Sequence, residues 1–293
     1  MNKNRRLTYS ILIVFSLFWG CKEQTAALKE DTEQPLFELL GPEQTNISFQ
    51  NTLTEALNTN ILMYEYFYNG GGVASGDFNN DGMVDLYFTS NMGENKFYLN
   101  KGNMQFQDIT AISGAGGRPG PWKTGVNAVD INADGWLDIY ICRSGLAEEK
   151  ERTNLLYINN HDLTFTESAA KFGLNQAGYS TQAAFFDYDR DGDLDMFLIN
   201  QSAPEFSRGY IDYIETRSQA ADSIMANALF RNDEGHFLNV SEQAGIKSNI
   251  FTFSLGINTS DINQDGWPDV YVSNDFEESD YIYINNRQGG FTN

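Results

Sequence analysis

One pattern occurs four times in this chain: "DFNNDGMVDLYF" from Asp77, "DINADGWLDIYI" from Asp130, "DYDRDGDLDMFL" from Asp187 and "DINQDGWPDVYV" from Asp261. Each copy sets acidic or amide side chains at alternate positions, adds a glycine and runs into an apolar stretch. The first Asp residues lie 53, 57 and 74 residues apart. A feature repeated in one register constrains the fold more than any single motif, because each copy must occupy an equivalent place.

More than the loop recurs. A short strand-like run precedes each copy: "GVASGD", "GVNAVD", "QAAFFD" and "GINTSD". Beyond each stands "NKFYLN" (95–100), "NLLYIN" (154–159), "NALFRN" (227–232) or "DYIYIN" (280–285), then a turn and "FQDIT", "FTESA", "FLNVS" or "FTN". The unit reads as strand, acidic loop, strand, connection, strand, turn, strand. Four short antiparallel strands every ~55 residues make one propeller blade. The strand after each loop is apolar on both faces, with Leu86, Ile139, Met196 and Val270 alternating with Tyr87, Tyr140, Phe197 and Tyr271. Such a strand must be covered on both sides, as stacked blades would do. No helical period of useful length links the strands, which disfavours a parallel βαβ fold. The expected class is all-β, a propeller of four-stranded antiparallel blades that is incomplete in this chain at about four to five blades. The fifth would be a degenerate half unit in residues 36–69, where "ISFQN" and "YEYFYN" stand. A seven-bladed ring at this period would take about 400 residues, so the chain is expected to be part of a longer protein.

Within the loops, positions 1, 3, 5 and 9 are Asp77, Asn79, Asp81 and Asp85; Asp130, Asn132, Asp134 and Asp138; Asp187, Asp189, Asp191 and Asp195; and Asp261, Asn263, Asp265 and Asp269. Converging carboxylates repel unless a cation sits among them. Hard oxygen donors in irregular geometry suit Ca²⁺, with the position-7 carbonyls of Met83, Trp136, Asp193 and Trp267 as further ligands. Glycine at position 6 (Gly82, Gly135, Gly192, Gly266) permits the sharp turn. About four calcium sites are expected. Turns rich in Asp, Asn and Gly need no metal, but four copies in one register with every acid kept at positions 1, 5 and 9 favour ligation. An EF-hand is excluded, since position 12 holds Phe88, Ile141, Leu198 and Val272 rather than Glu. The pattern resembles the FG-GAP/VCBS repeats of integrin α-chain propellers and many bacterial surface proteins. With its N-terminus, the chain resembles bacterial VCBS-repeat proteins related to cartilage acidic protein, which often carry an additional C-terminal domain.

Lys3, Arg5 and Arg6 precede an apolar run from Tyr9 to Trp19 and then Gly20-Cys21, too short to span a bilayer and read as an export signal. "LFWGC" resembles a bacterial lipoprotein signal, which makes Cys21 the lipidated residue. Residues 1–21 are therefore expected to be signal, 22–35 a polar tether and 36–293 the repeat propeller. The expected location is the outer membrane or cell surface, with the lipid anchor the only membrane contact. Cys142, in "DIYIC", is then without a disulfide partner and reads as a small core residue. A net charge of −21 excludes nucleic acid as a partner. Hydrophobic content of 41%, enough for a core, with 26 glycines suits a turn-rich β protein.

Length varies mainly between the second and third strands of each unit, and variable loops on a rigid scaffold are where binding resides. Candidate ligand contacts are Arg208, Tyr210, Tyr213 and Arg217 in the longest connection, and Arg118, Trp122 and Lys123 in "GGRPGPWKTG". Aromatic and Arg side chains there suit a glycan or protein ligand, though they could equally cover a blade edge. No nucleophile, zinc or phosphate-loop motif occurs, and both histidines, His161 and His236, stand in tight turns. The expected function is that of a non-enzymatic calcium-binding repeat protein of the cell surface, which binds a glycan or protein ligand through loops on the propeller scaffold. The alternative is a polysaccharide lyase or hydrolase on a calcium-stabilised propeller.

Overall fold

The computed structural model describes residues 36–118, 120, 122–146, 148–202, 225–247, 252–276 and 278–293. Residues 40–293 form one unit. Among the described residues it contains sixteen strands in four sheets of four. Blade 1 comprises β1 (Val73–Gly76), β2 (Asp85–Phe88), β3 (Lys96–Asn100) and β4 (Phe106–Asp108). Blade 2 comprises β5 (Lys123–Val129), β6 (Asp138–Arg143), β7 (Leu155–Asn159) and β8 (Phe165–Glu167). Blade 3 comprises β9 (Ser180–Phe186), β10 (Asp195–Asn200), β11 (Ala228–Asp233) and β12 (His236–Asn239). Blade 4 comprises β13 (Ser254–Ser260), β14 (Asp269–Asn274), β15 (Tyr281–Asn285) and β16 (Phe291–Thr292).

Every sheet is an antiparallel meander in sequence order. The register of each first pair ends at the acidic loop: Gly76 faces Asp85, Val129 faces Asp138, Phe186 faces Asp195 and Ser260 faces Asp269. First strands pack against one another in succession, β1 on β5, β5 on β9 and β9 on β13. They are thus the inner strands about a common axis, the arrangement of propeller blades.

The core lies between blades. Phe78, Tyr87, Phe97 and Leu99 of blade 1 pack on Val126, Ile139, Ile141 and Leu155 of blade 2. Equivalent clusters join blades 2 and 3 through Tyr140, Leu156, Met196 and Leu198, and blades 3 and 4 through Phe197, Leu229, Val270 and Tyr283. All six residues of β6 and of β10 are buried, as strands covered on both faces require. Cys142 is fully buried between blades 2 and 3, in the core role read from its run. In loops 1 to 3 the residue after the first Asp is an anchor between blades: Phe78, Ile131 and Tyr188 are buried in successive clusters, whereas Ile262 of loop 4 is exposed.

Residues 36–69 are not a half blade. Among them stand a single-turn helix, Pro42–Thr45, and an isolated bridge between Ala56 and Thr59. The aromatic run folds as turns, and Tyr64, Tyr66 and Phe67 are all buried against Trp122 and Phe253. The segment spans the blades instead: the Tyr64 hydroxyl contacts Ser144 after β6 and accepts from Gln201 after β10, while Tyr66 donates to Asp275 after β14. It closes the face opposite the acidic loops.

Candidate functional site

The four acidic loops share one backbone. Glycine at position 6 has φ between 85° and 103°, and position 4 is also left-handed, at Asn80 (55°), Ala133 (55°), Arg190 (63°) and Gln264 (60°). The carboxylate at position 1 holds this turn by accepting the glycine N–H, at 2.7, 2.9, 3.1 and 2.8 Å in loops 1 to 4. The position-5 carboxylate accepts the position-7 N–H at 2.8–2.9 Å in every loop.

Position 9 is the buried end of each loop. Asp85, Asp138, Asp195 and Asp269 are fully buried. One oxygen accepts the position-2 N–H of Phe78, Ile131, Tyr188 or Ile262. The other accepts, at 2.8–2.9 Å, the N–H of Asn100, Asn159, Asn232 or Asn285 at the third strand. Burial pushes Asp138 up to about 6 and Asp195 up to about 7 despite these amides. Asp85 is raised for the same reason.

Sequence reasoning overlooked those asparagines, although Asn closes all four third-strand runs. Their side-chain amides donate to the position-8 carbonyls of Val84, Leu137, Leu194 and Pro268. Two also cross to the preceding blade, Asn159 to Phe78 O at 2.9 Å and Asn285 to Tyr188 O at 2.8 Å. Each loop is thereby fixed to its sheet, and those of blades 1 and 3 are tied to the blade that follows.

Loop 3 differs from the others. In loops 1, 2 and 4 the position-3 Asn donates to the position-5 carboxylate at 2.9 Å. Asp189 replaces that amide, so no proton lies between the carboxylates. Asp187 Oδ1 and Asp189 Oδ1 are buried and lack a hydrogen-bond partner. Asp187, Asp189 and Asp195 each offer an oxygen within 4.8 Å of the others. Burial, then the charges of Asp191 and Asp187, raise the Asp189 carboxyl. An all-oxygen acceptor cluster with two unpaired buried atoms fits a hard cation.

In loops 2 and 4 the position-5 acid meets a side chain from the outer hairpin of its own blade. His161 Nε2 lies 3.0 Å from Asp134 Oδ2 with its ring stacked on Trp136, and Arg287 Nε donates to Asp265 Oδ2 at 3.0 Å. Burial works to raise Asp134, but the hydrogen bonds from His161 and the Trp136 amide outweigh it and hold the acid low. Arg287 lowers Asp265. The sequence placed His161 in its turn but offered no sign of this contact.

The candidate ligand residues separate. Trp122 is buried under Tyr64 and Phe67. Lys123 is also buried, its ammonium donating to Gly93 O and Gly120 O, and burial lowers it to about 8. Arg118 is exposed and donates to Thr153 O at 2.9 Å. Arg208, Tyr210, Tyr213, Arg217 and Cys21 lie outside the described residues.

An FG-GAP-like repeat family model matches residues 77–141 and 146–198. Cartilage acidic protein 1 of Mus musculus and of Homo sapiens is 31% identical over 136 residues, 44% of this chain and 20% of either relative. That of Xenopus tropicalis is 28% identical over 141 residues, 46% of this chain and 21% of the relative. The matched region thus spans about a fifth of the length of these curated relatives. A solved Agrocybe aegerita lectin, described as recognising non-reducing terminal N-acetylglucosamine, aligns at 19% identity with a TM-score of 0.44, covering 75% of this chain and 50% of that one. The two stretches that match the FG-GAP-like repeat model, residues 77–141 and 146–198, lie within blades 1 to 3 of the β-propeller.

Proposed function

We propose that the chain is a non-enzymatic, calcium-binding repeat protein, exported and displayed at the cell surface, where it takes a glycan or protein ligand. The pair of buried, unpartnered oxygens on Asp187 and Asp189 carries the calcium half of this reading. Asp187, Asp189, Asp191 and Asp195 would hold the ion in loop 3, with the equivalent residues of loops 1, 2 and 4 forming sites of the same plan. Bound calcium would offset repulsion among these acids and lock each loop to its blade. The ligand half is supported by a rigid scaffold whose connections differ in length at one face. Export and lipidation at Cys21 rest on the N-terminal sequence alone.

Calorimetric titration of calcium into the metal-stripped full chain tests the first half. Close to four sites are expected, one fewer in each of Asp81→Ala, Asp134→Ala, Asp191→Ala and Asp265→Ala. Calcium at 100 times its dissociation constant should add about 2.7 kcal/mol of stability per site. Folded protein that takes up no calcium would sink the proposal.

A further inference from the structure

The four acidic loops are not joined to one another evenly. In blade 1 the Phe78 N–H donates to Asp85 Oδ2 at 3.1 Å, and the Phe78 carbonyl accepts from the Asn159 side-chain amide of blade 2 at 2.9 Å. The Asn159 backbone N–H then donates to Asp138 Oδ1 at 2.8 Å. Asp85 and Asp138, the position-9 acids of loops 1 and 2, are thus the two ends of one chain of hydrogen bonds. All four residues are at most 3% exposed. The same relay joins blades 3 and 4. The Tyr188 N–H donates to Asp195 Oδ2 at 3.0 Å, the Asn285 amide to the Tyr188 carbonyl at 2.8 Å, and the Asn285 N–H to Asp269 Oδ1 at 2.8 Å.

A second contact repeats this pairing nearer the surface. Asn80, position 4 of loop 1, donates its side-chain amide to Gly135 O in loop 2 at 3.1 Å. Arg190, position 4 of loop 3, holds its guanidinium 4.7 Å from the centre of the Trp267 ring in loop 4. Both reach the turn at positions 6 and 7, whose N–H groups the acids at positions 1 and 5 accept. Between loops 2 and 3 neither link exists among the described residues. Position 4 of loop 2 is Ala133, which has no group to offer. The Asn232 amide of blade 3 stays within its own blade, donating to Leu194 O at 3.2 Å.

A buried chain of hydrogen bonds carries a change from one end to the other, because each bond polarises the next. The Phe78 carbonyl stands between Asp77 and Asn79, so a rearrangement of loop 1 reaches Asn159. Asn159 in turn holds both Asp138 and the Leu137 carbonyl of loop 2. We propose that the acidic loops work as two coupled pairs, 1 with 2 and 3 with 4, in which filling either loop tightens its partner while the pairs act independently. Asn159, Asn285, Asn80 and Arg190 are then positioning residues for a loop across the blade boundary. The inference rests on the calcium half of the proposed function, and linkage makes the coupling equal in both directions.

The full chain, metal-stripped and carrying 5-fluorotryptophan, is titrated with calcium. The fluorine resonances of Trp136 and Trp267 report loops 2 and 4 separately. In the unaltered chain both curves should have Hill slopes above one and no greater than two. Asp81→Ala, in loop 1, should move the Trp136 midpoint about fivefold or more to higher calcium and leave that of Trp267 in place. Asp191→Ala, in loop 3, should do the opposite. Asn80→Gly, which suits the left-handed backbone of that position, should lower the slope at Trp136 alone. Slopes of one in the unaltered chain overturn the pairing without recourse to any variant. Midpoints that move together, or not at all, also overturn it and leave the calcium sites standing. Indoles that ignore calcium, in a folded chain that binds none by calorimetry, overturn the pairing and the calcium reading together.

Discussion

Asp195 and Asp138 carry a pH dependence opposite to that of most carboxylates. Their folded pKa values, about 7 and about 6, lie above the unfolded value of about 3.9. Between pH 4 and 7 the metal-free folded state therefore holds protons that the unfolded chain releases. Stability should fall as pH rises through this window and level off above it. Denaturant unfolding of metal-stripped protein at pH 5 and pH 7.5 checks the sign; greater stability at pH 7.5 would contradict it. The cause is burial, which the sequence could not display. Alternate acids and a glycine were legible because they obey local spacing. Position 4 was not, because Asn80, Ala133, Arg190 and Gln264 share a backbone conformation and no side-chain chemistry. A cation held beside Asp195 would favour its charged form. Saturating calcium should accordingly flatten the slope that Asp195 produces.

Among elements, the connection between second and third strands shows how blades of one size accept loops of many lengths. An acceptor at its far end closes each connection at the base. Asn95 Oδ1 takes the Ser90 N–H at 3.0 Å, Asn154 that of Arg143 at 2.8 Å, Asn227 that of Asn200 at 2.9 Å, and Asp280 that of Asn274 at 2.8 Å. Whatever lies between does not disturb the sheet. Asn227→Ala should cost about 1–3 kcal/mol, since the buried Asn200 N–H loses its acceptor. Asn227→Asp should recover part of that, as Asp280 serves the same role in blade 4; equal loss in both variants, by chemical denaturation, would refute the clamp. The third-strand runs "NKFYLN", "NLLYIN", "NALFRN" and "DYIYIN" displayed both the clamp and the closing Asn. Their meaning was hidden because the partners lie up to 97 residues away.

For the whole molecule, the four-blade plan was readable from periodicity, but the role of residues 53–69 was not. A short aromatic run satisfies a strand pattern and a buried turn equally well. What decides between them is the axis that the blades enclose, a feature no local window contains. Tyr64 links blades 2 and 3, so Tyr64→Phe should destabilise the protein by about 1 kcal/mol by removing the oxygen to which Gln201 donates. Thermal unfolding without any shift would show the contact to be dispensable. The reach of this segment also sets an order of events at the ribosome. Tyr66 bonds to Asp275, 209 residues later in the chain. At roughly 5–20 residues per second, Tyr66 waits on the order of 10–40 s for that partner to be synthesised. Over that interval Tyr66 lacks this partner, so the aromatic segment completes its packing only after the chain has been made through blade 4.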